Sequence, residues 1–123
     1  MFALVRVDGA VGWSDLPWPA FGLNDVRIRP LLVGLCRTDL AVASGRLPVG
    51  SARVLGHEVV GEVIEVGDGV KHCRTGDRVG VDPTIACGAC GECSDGWPHA
   101  CKDRRFMGLD YDLSLIHISE PTR

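Results

Sequence analysis

Gly56-His57-Glu58-Val59-Val60-Gly61-Glu62-Val63-Ile64-Glu65-Val66-Gly67-Asp68-Gly69 is the stretch on which the fold turns. Val59 to Val66 reads as a strand, and Gly61 inside it marks a bulge or a sharp bend of the kind a barrel-like sheet needs. Gly67-Asp68-Gly69 turns the chain, and Gly76-Asp77 is a second turn ahead of the strand Arg78-Val79-Gly80-Val81, which Pro83 ends. Upstream, Phe2 to Val7 alternates weakly. Val26, Ile28 and Leu31 to Val33 form a β-rich run interrupted by Pro30, which suits an edge or bulged strand. A short helix follows: Thr38 is placed to cap the amides of Leu40 and Ala41, and Ser44-Gly45 supplies a left-handed stop. Cys36 then sits just before a helix N-terminus. The expected domain is mostly β with many glycine corners. The first 112 residues hold no internal repeat, low-complexity tract or interdomain linker.

A chain of 123 residues forms one domain that buries roughly two thirds of its unfolded surface. A separate cofactor-binding half would need more chain. Apolar residues make up 46% and charged residues 24%, the composition of an ordinary globular domain. A net charge of -3 argues against nucleic acid, whose phosphates are bound by clustered Lys and Arg. No apolar run approaches membrane-spanning length. Met1-Phe2-Ala3-Leu4-Val5-Arg6 lacks a basic n-region with an apolar core and cleavage site, so a cytoplasmic protein is expected. In that compartment six cysteines point to metal binding rather than disulfides.

Cys87, Cys90, Cys93 and Cys101 form a C-x2-C-x2-C-x7-C array, the ligand set of a closed tetrahedral zinc site. Gly88, Gly91 and Gly96 relieve the backbone where the loop turns around the ion. Iron-sulfur ferredoxins share C-x2-C-x2-C, but their fourth cysteine follows three residues later and precedes Pro, whereas Cys101 precedes Lys102. With four thiolates the shell is complete, so His99 is expected to be exposed and uncommitted, and the ion to hold the loop rather than do chemistry. Cys73, after His72 in a turn, reads as a free thiol without a role.

Cys36 and His57 lie outside that loop and are a soft and a borderline ligand that zinc accepts. Each alone is more often a packing residue than a ligand. The wording around them is what matters: Gly34-Leu35-Cys36-Arg37-Thr38-Asp39, then Gly56-His57-Glu58-Val59-Val60-Gly61 continuing to Gly67 and Val70, then Gly76-Asp77-Arg78-Val79 and the four-cysteine loop. In this order the chain resembles, over residues 1–112, the N-terminal GroES-like catalytic domain of the zinc-dependent medium-chain alcohol and polyol dehydrogenases. That resemblance implies a GroES-like, partly open β-barrel with short helices and a zinc-binding loop. It places Cys36 and His57 on a catalytic zinc and Cys87, Cys90, Cys93 and Cys101 on a structural zinc. It also assigns Thr38 to a hydroxyl proton relay, Asp39 to orienting the ligand histidine, Glu58 to the inner edge of the metal shell and Arg37 to the phosphates of NAD or NADP.

Each residue type suits such chemistry. Zinc lowers the pKa of a bound oxygen from about 15.7 to about 7, so an alcohol becomes an alkoxide near neutral pH and hydride can leave the carbon. Thr38 need only pass the proton outward. A carboxylate such as Asp39 on the far nitrogen of His57 fixes its tautomer and raises its basicity, although Arg37 and Asp39 also suit the plain task of solvating a helix start. Two departures stand out. The family's outer relay histidine is replaced by Ala41, and the third protein ligand and the nucleotide-binding domain are expected beyond this chain, which contains no G-x-G-x-x-G.

The implied function is that of a truncated NAD(P)-linked dehydrogenase acting on a small alcohol or polyol, homo-oligomeric at full length, with the chain as given expected to be inactive. Its cleft face should expose apolar surface. A non-catalytic zinc-loop module that binds a protein partner is the alternative, and a thiol redox sensor using Cys87 and Cys90 is a third. Leu113 to Arg123, LSLIHISEPTR, resembles the in-frame translation of a sequencing adapter and is set aside as non-native. Pattern alone would make Leu113, Leu115, Ile116 and Ile118 a short strand. His117 is accordingly not a candidate ligand.

Overall fold

The computed structural model describes residues 2–50 and 52–110. The 113–123 tail, with its strand pattern and His117, lies outside them. The described part is built from antiparallel strands: β1 (Phe2–Val7), β2 (Ala10–Asp15), β3 (Val26–Gly34), β4 (Ala52–Val54), β5 (Glu58–Val66), β6 (Arg78–Gly80), β7 (Thr84–Ile85) and β8 (Arg105–Phe106). They form sheets of order β2-β1-β4 and β3-β5-β6 and a small β7-β8 ribbon. No described sheet closes on itself, in keeping with a partly open β fold. Helix α1 (Arg37–Ala43) bridges β3 and β4, and a single helical turn, α2 (Gly91–Ser94), lies within the cysteine loop.

The central pair is β3 with β5. Val26, Ile28, Val59 and Val63 face inward and join Val81 and Met107 in the buried core, with Val66, Val70, Cys73, Val79 and Ile85 packed against it. Period-2 alternation of β5 puts Val59, Gly61 and Val63 inside while Glu58, Val60 and Ile64 face out. As expected for a strand containing Pro30, β3 has β5 as its sole sheet neighbour among the described residues and slips register between Arg27 and Ile28 and between Pro30 and Leu32. Gly61 pairs with Pro30 at that slip. A Cβ on Gly61 would lie 2.3 Å from Ile28 Cγ2 and 2.7 Å from the Arg29 carbonyl, so the glycine is what lets the bulged strand approach.

Several local expectations need correcting. Helix α1 begins at Arg37, and its cap is Cys36 rather than Thr38. Cys36 Sγ accepts the Thr38 N–H at 3.3 Å and Asp39 Oδ2 accepts the Cys36 N–H at 2.9 Å, a reciprocal box in which a thiol does the work of a serine. Gly45, with φ +74°, ends the helix as expected. In the cysteine loop Gly88 and Gly96 have φ of +73° and +83°, but Gly91 opens α2 with no positive φ. Strand β2 follows a two-residue turn at Asp8-Gly9, whose φ values of 48° and 89° are those of a type I′ hairpin.

Candidate metal centres

The first centre is the loop closed at its base by β7 and β8. Cys87, Cys90, Cys93 and Cys101 bring their sulfurs together within 4.8 Å of one another, and all four are free thiols. Cys90 Sγ is 3.4 Å from Cys93 Sγ and 3.8 Å from Cys101 Sγ, and Cys87 Sγ is 4.0 Å from Cys93 Sγ. A tetrahedron of zinc–sulfur bonds has edges of about 3.8 Å, so the donor set fits zinc. Backbone N–H groups of Ala89 and Cys90 donate to Cys87 Sγ and bring that thiol down to about 7. The Cys93 N–H acts in the same sense on Cys90, but desolvation and the neighbouring thiols prevail and push Cys90 up to about 12. Crowded thiols resist joint ionisation unless a cation sits among them. His99 is exposed and stands edge-on to Trp97, as expected of an uncommitted residue.

The second centre lies where β3 hands over to α1 and where β5 begins. Cys36 Sγ is 3.3 Å from His57 Nε2, close to the roughly 3.6 Å that two ligands of one tetrahedral zinc would show. The Glu58 carboxylate joins them, all three donor atoms lying within 4.8 Å of one another. The two-ligand set expected from Cys36 and His57 therefore gains a third protein donor from within the chain.

Asp39 locks this arrangement. It is 5% exposed, and its carboxylate accepts the N–H of Cys36 and, through Oδ1, the N–H of Gly56 at 2.8 Å. The same Oδ1 is 3.4 Å from His57 Nδ1. Burial pushes the Asp39 carboxyl up, but the two backbone donors and His57 outweigh it and hold it below the usual carboxylate value. Asp39 thus does both things considered for it, capping α1 and facing the far nitrogen of the histidine. Gly56, with φ +90°, aims its N–H at Asp39; the Gly-His word gave the residue but not this role. Phe106 stands edge-on to the His57 ring at 5.1 Å between centroids. Nothing in the sequence around Phe106 signals that contact.

Thr38 is half-buried beside Cys36, and Arg37 is exposed at the first position of α1. From Leu35 and Gly56 an apolar groove of about 330 Å³ runs on past Val33, Phe21, Trp18 and Trp13. Arg27 spans two of its rings, 5.1 Å from the Trp18 centroid and 4.8 Å from that of Phe21.

Comparison with known proteins agrees with this geometry. An uncharacterized zinc-type alcohol dehydrogenase-like protein of Haemophilus influenzae is 41% identical over 107 residues, covering 85% of this chain and 31% of that protein. Galactitol-1-phosphate dehydrogenase from Escherichia coli superposes with a TM-score of 0.83 at 31% identity, over 91% of this chain and 33% of that one. The alcohol dehydrogenase rspB of Escherichia coli CFT073, complexed with NADH, gives a TM-score of 0.79 at 31% identity, over 90% of this chain and 33% of that one. The chain thus spans about a third of the length of the relatives it matches. Residues 22–115 match the family described as the alcohol dehydrogenase GroES-like domain, and with that match the chain belongs to this family.

Proposed function

We propose that this chain is the metal-binding part of a zinc-dependent, NAD(P)-linked dehydrogenase that oxidises a small alcohol or polyol to a carbonyl. The convergence of Cys36 Sγ, His57 Nε2 and the Glu58 carboxylate, with Asp39 behind the histidine, carries this reading. Cys36, His57 and Glu58 would hold the catalytic zinc; Cys87, Cys90, Cys93 and Cys101 would hold a structural one. When bound at the open site, zinc supplies Lewis-acid stabilisation of negative charge on oxygen. The protein's own residues do the rest. Asp39, its Oδ1 3.4 Å from His57 Nδ1, favours the proton on that nitrogen and so keeps Nε2 free to ligate. Thr38 Oγ1 takes the proton of the substrate hydroxyl and passes it outward by a route other than the side chain of Ala41. Arg37, exposed at the start of α1, offers its guanidinium to the phosphates of the cofactor.

A module that only bound a partner through its zinc loop would need neither the three-donor cluster nor a buried carboxylate behind it. Within the domain proposed for residues 1–112, the apolar groove and the open sheets fit a protein whose remaining length packs against this one. Among the described residues no helix is long and apolar enough to cross a membrane, and a cytoplasmic homo-oligomer using a small-molecule substrate is proposed. The test is turnover of a panel of alcohols and polyols with NAD and NADP by the protein extended to the length of its relatives. Substrate-dependent reduction of the cofactor, abolished in Cys36→Ser, is the expected result. Turnover unaffected by that substitution would contradict the proposal.

A further inference from the structure

Gly34 occupies the last position of β3 with no backbone reason to be glycine. Its φ is not in the left-handed region, unlike that of Gly56, so any residue could adopt its conformation. What sets it apart is its cross-strand partner. Gly34 pairs with Glu58, and a Cβ at position 34 would lie 2.5 Å from Glu58 Oε2 and 3.1 Å from Glu58 Cβ. The glutamate side chain therefore lies across the bare Cα of Gly34. Among the described residues no hydrogen bond or ion pair holds the Glu58 carboxylate, so space rather than a bond determines where it lies.

We infer that Gly34 is a positioning residue for Glu58: its missing side chain leaves the room in which the carboxylate reaches the Cys36–His57 pair. This rests on the metal-centre reading given above. The closest contact is with the far end of a flexible side chain and is relieved by turning the carboxylate away, while the 3.1 Å contact with Glu58 Cβ asks only a few tenths of an ångström from the paired strands. A substitution at 34 then acts on metal binding through Glu58.

A double-mutant cycle on the affinity of the second zinc tests this, in the full chain with the four-cysteine site already loaded, by competition with a chromophoric chelator. Gly34→Ala is expected to weaken that affinity roughly ten- to a hundredfold, and Glu58→Ala by a similar factor. Adding Gly34→Ala to Glu58→Ala should change it less than about twofold, because the two act as one unit. Wild-type affinity in Gly34→Ala, or its full loss repeated in the Glu58→Ala background, would overturn the inference. Should Gly34→Ala fail to fold, folding restored by adding Glu58→Ala supports the crowding, and a double variant as unfolded as the single one overturns it. A wild-type chain that takes up no second zinc overturns the metal reading and this inference with it. Second-zinc uptake by the wild type, unchanged in Gly34→Ala, overturns only the inference.

Discussion

Asp39 carries more structure per atom than any other residue of the site. Its carboxylate is buried, takes two backbone N–H groups from different elements and faces His57. Asp39→Ala leaves those donors without partners, at about 1–3 kcal/mol for each buried group, and denaturant unfolding should show a loss on the order of 3 kcal/mol. A loss below about 0.5 kcal/mol would mean that water replaces the carboxylate. The family resemblance carried by the Cys36-Arg37-Thr38-Asp39 word implied that Asp39 would face the histidine, and its carboxylate does lie beside the ring, whereas its bond to Gly56 depends on how two distant segments meet. Cys73 is a different case. It packs against the core, where burial, helped by the Asp77 carboxylate, raises its thiol above the ordinary 9.0. With a raised folded value, its stabilising contribution is complete below 9.0 and is lost as pH rises through that higher value. At about pH 8 its alkylation, mapped by mass spectrometry, should be slower than that of N-acetylcysteine; a faster rate would contradict the assignment of Cys73 as an inert thiol.

Among the elements, β5 was read almost whole because its hydrophobic pattern and glycine agree with its burial. Gly61 makes the point quantitatively. In Gly61→Val the new side chain meets the Arg29 carbonyl, a backbone atom that cannot rotate away, so strands β3 and β5 must separate locally. The expected cost is about 3 kcal/mol, measured by thermal unfolding, and a variant as stable as wild type would show that the bulge absorbs it. Strand β2 went unread although Asp8-Gly9 is a strong hairpin signal, because Ala10–Asp15 is exposed at nearly every position and shows little apolar alternation. Strands β7 and β8 are two residues each, too short for any periodicity; they exist because the cysteine loop must close. Cys93→Ser should therefore loosen residues 85–105 together, seen as faster amide hydrogen exchange across the loop, while leaving α1 and β5 protected. Unchanged exchange in that loop would mean that the chain holds it without metal.

At the scale of the molecule, two sheets of three strands and a ribbon enclose a small core and leave much apolar surface outside it. Phe2, Trp13 and Leu32 are 71%, 66% and 71% exposed. Which strands neighbour which was not legible, since pairing β1 with β4 and β3 with β5 depends on long-range packing rather than local pattern. The resemblance named Cys36, His57 and Glu58 for one metal shell, and the fold brings their donor atoms together; that Glu58 reaches the Cys36–His57 pair depends on the register opposite Gly34, which no local pattern shows. Both candidate metal centres sit where strands end and loops begin, one lined by four sulfurs and one by three donors. The central claim is that these are two separate sites on one chain. Zinc content per chain, measured by elemental analysis for wild type and for His57→Ala, tests it most directly: two equivalents falling to one is the predicted result, and one equivalent in both proteins would contradict it.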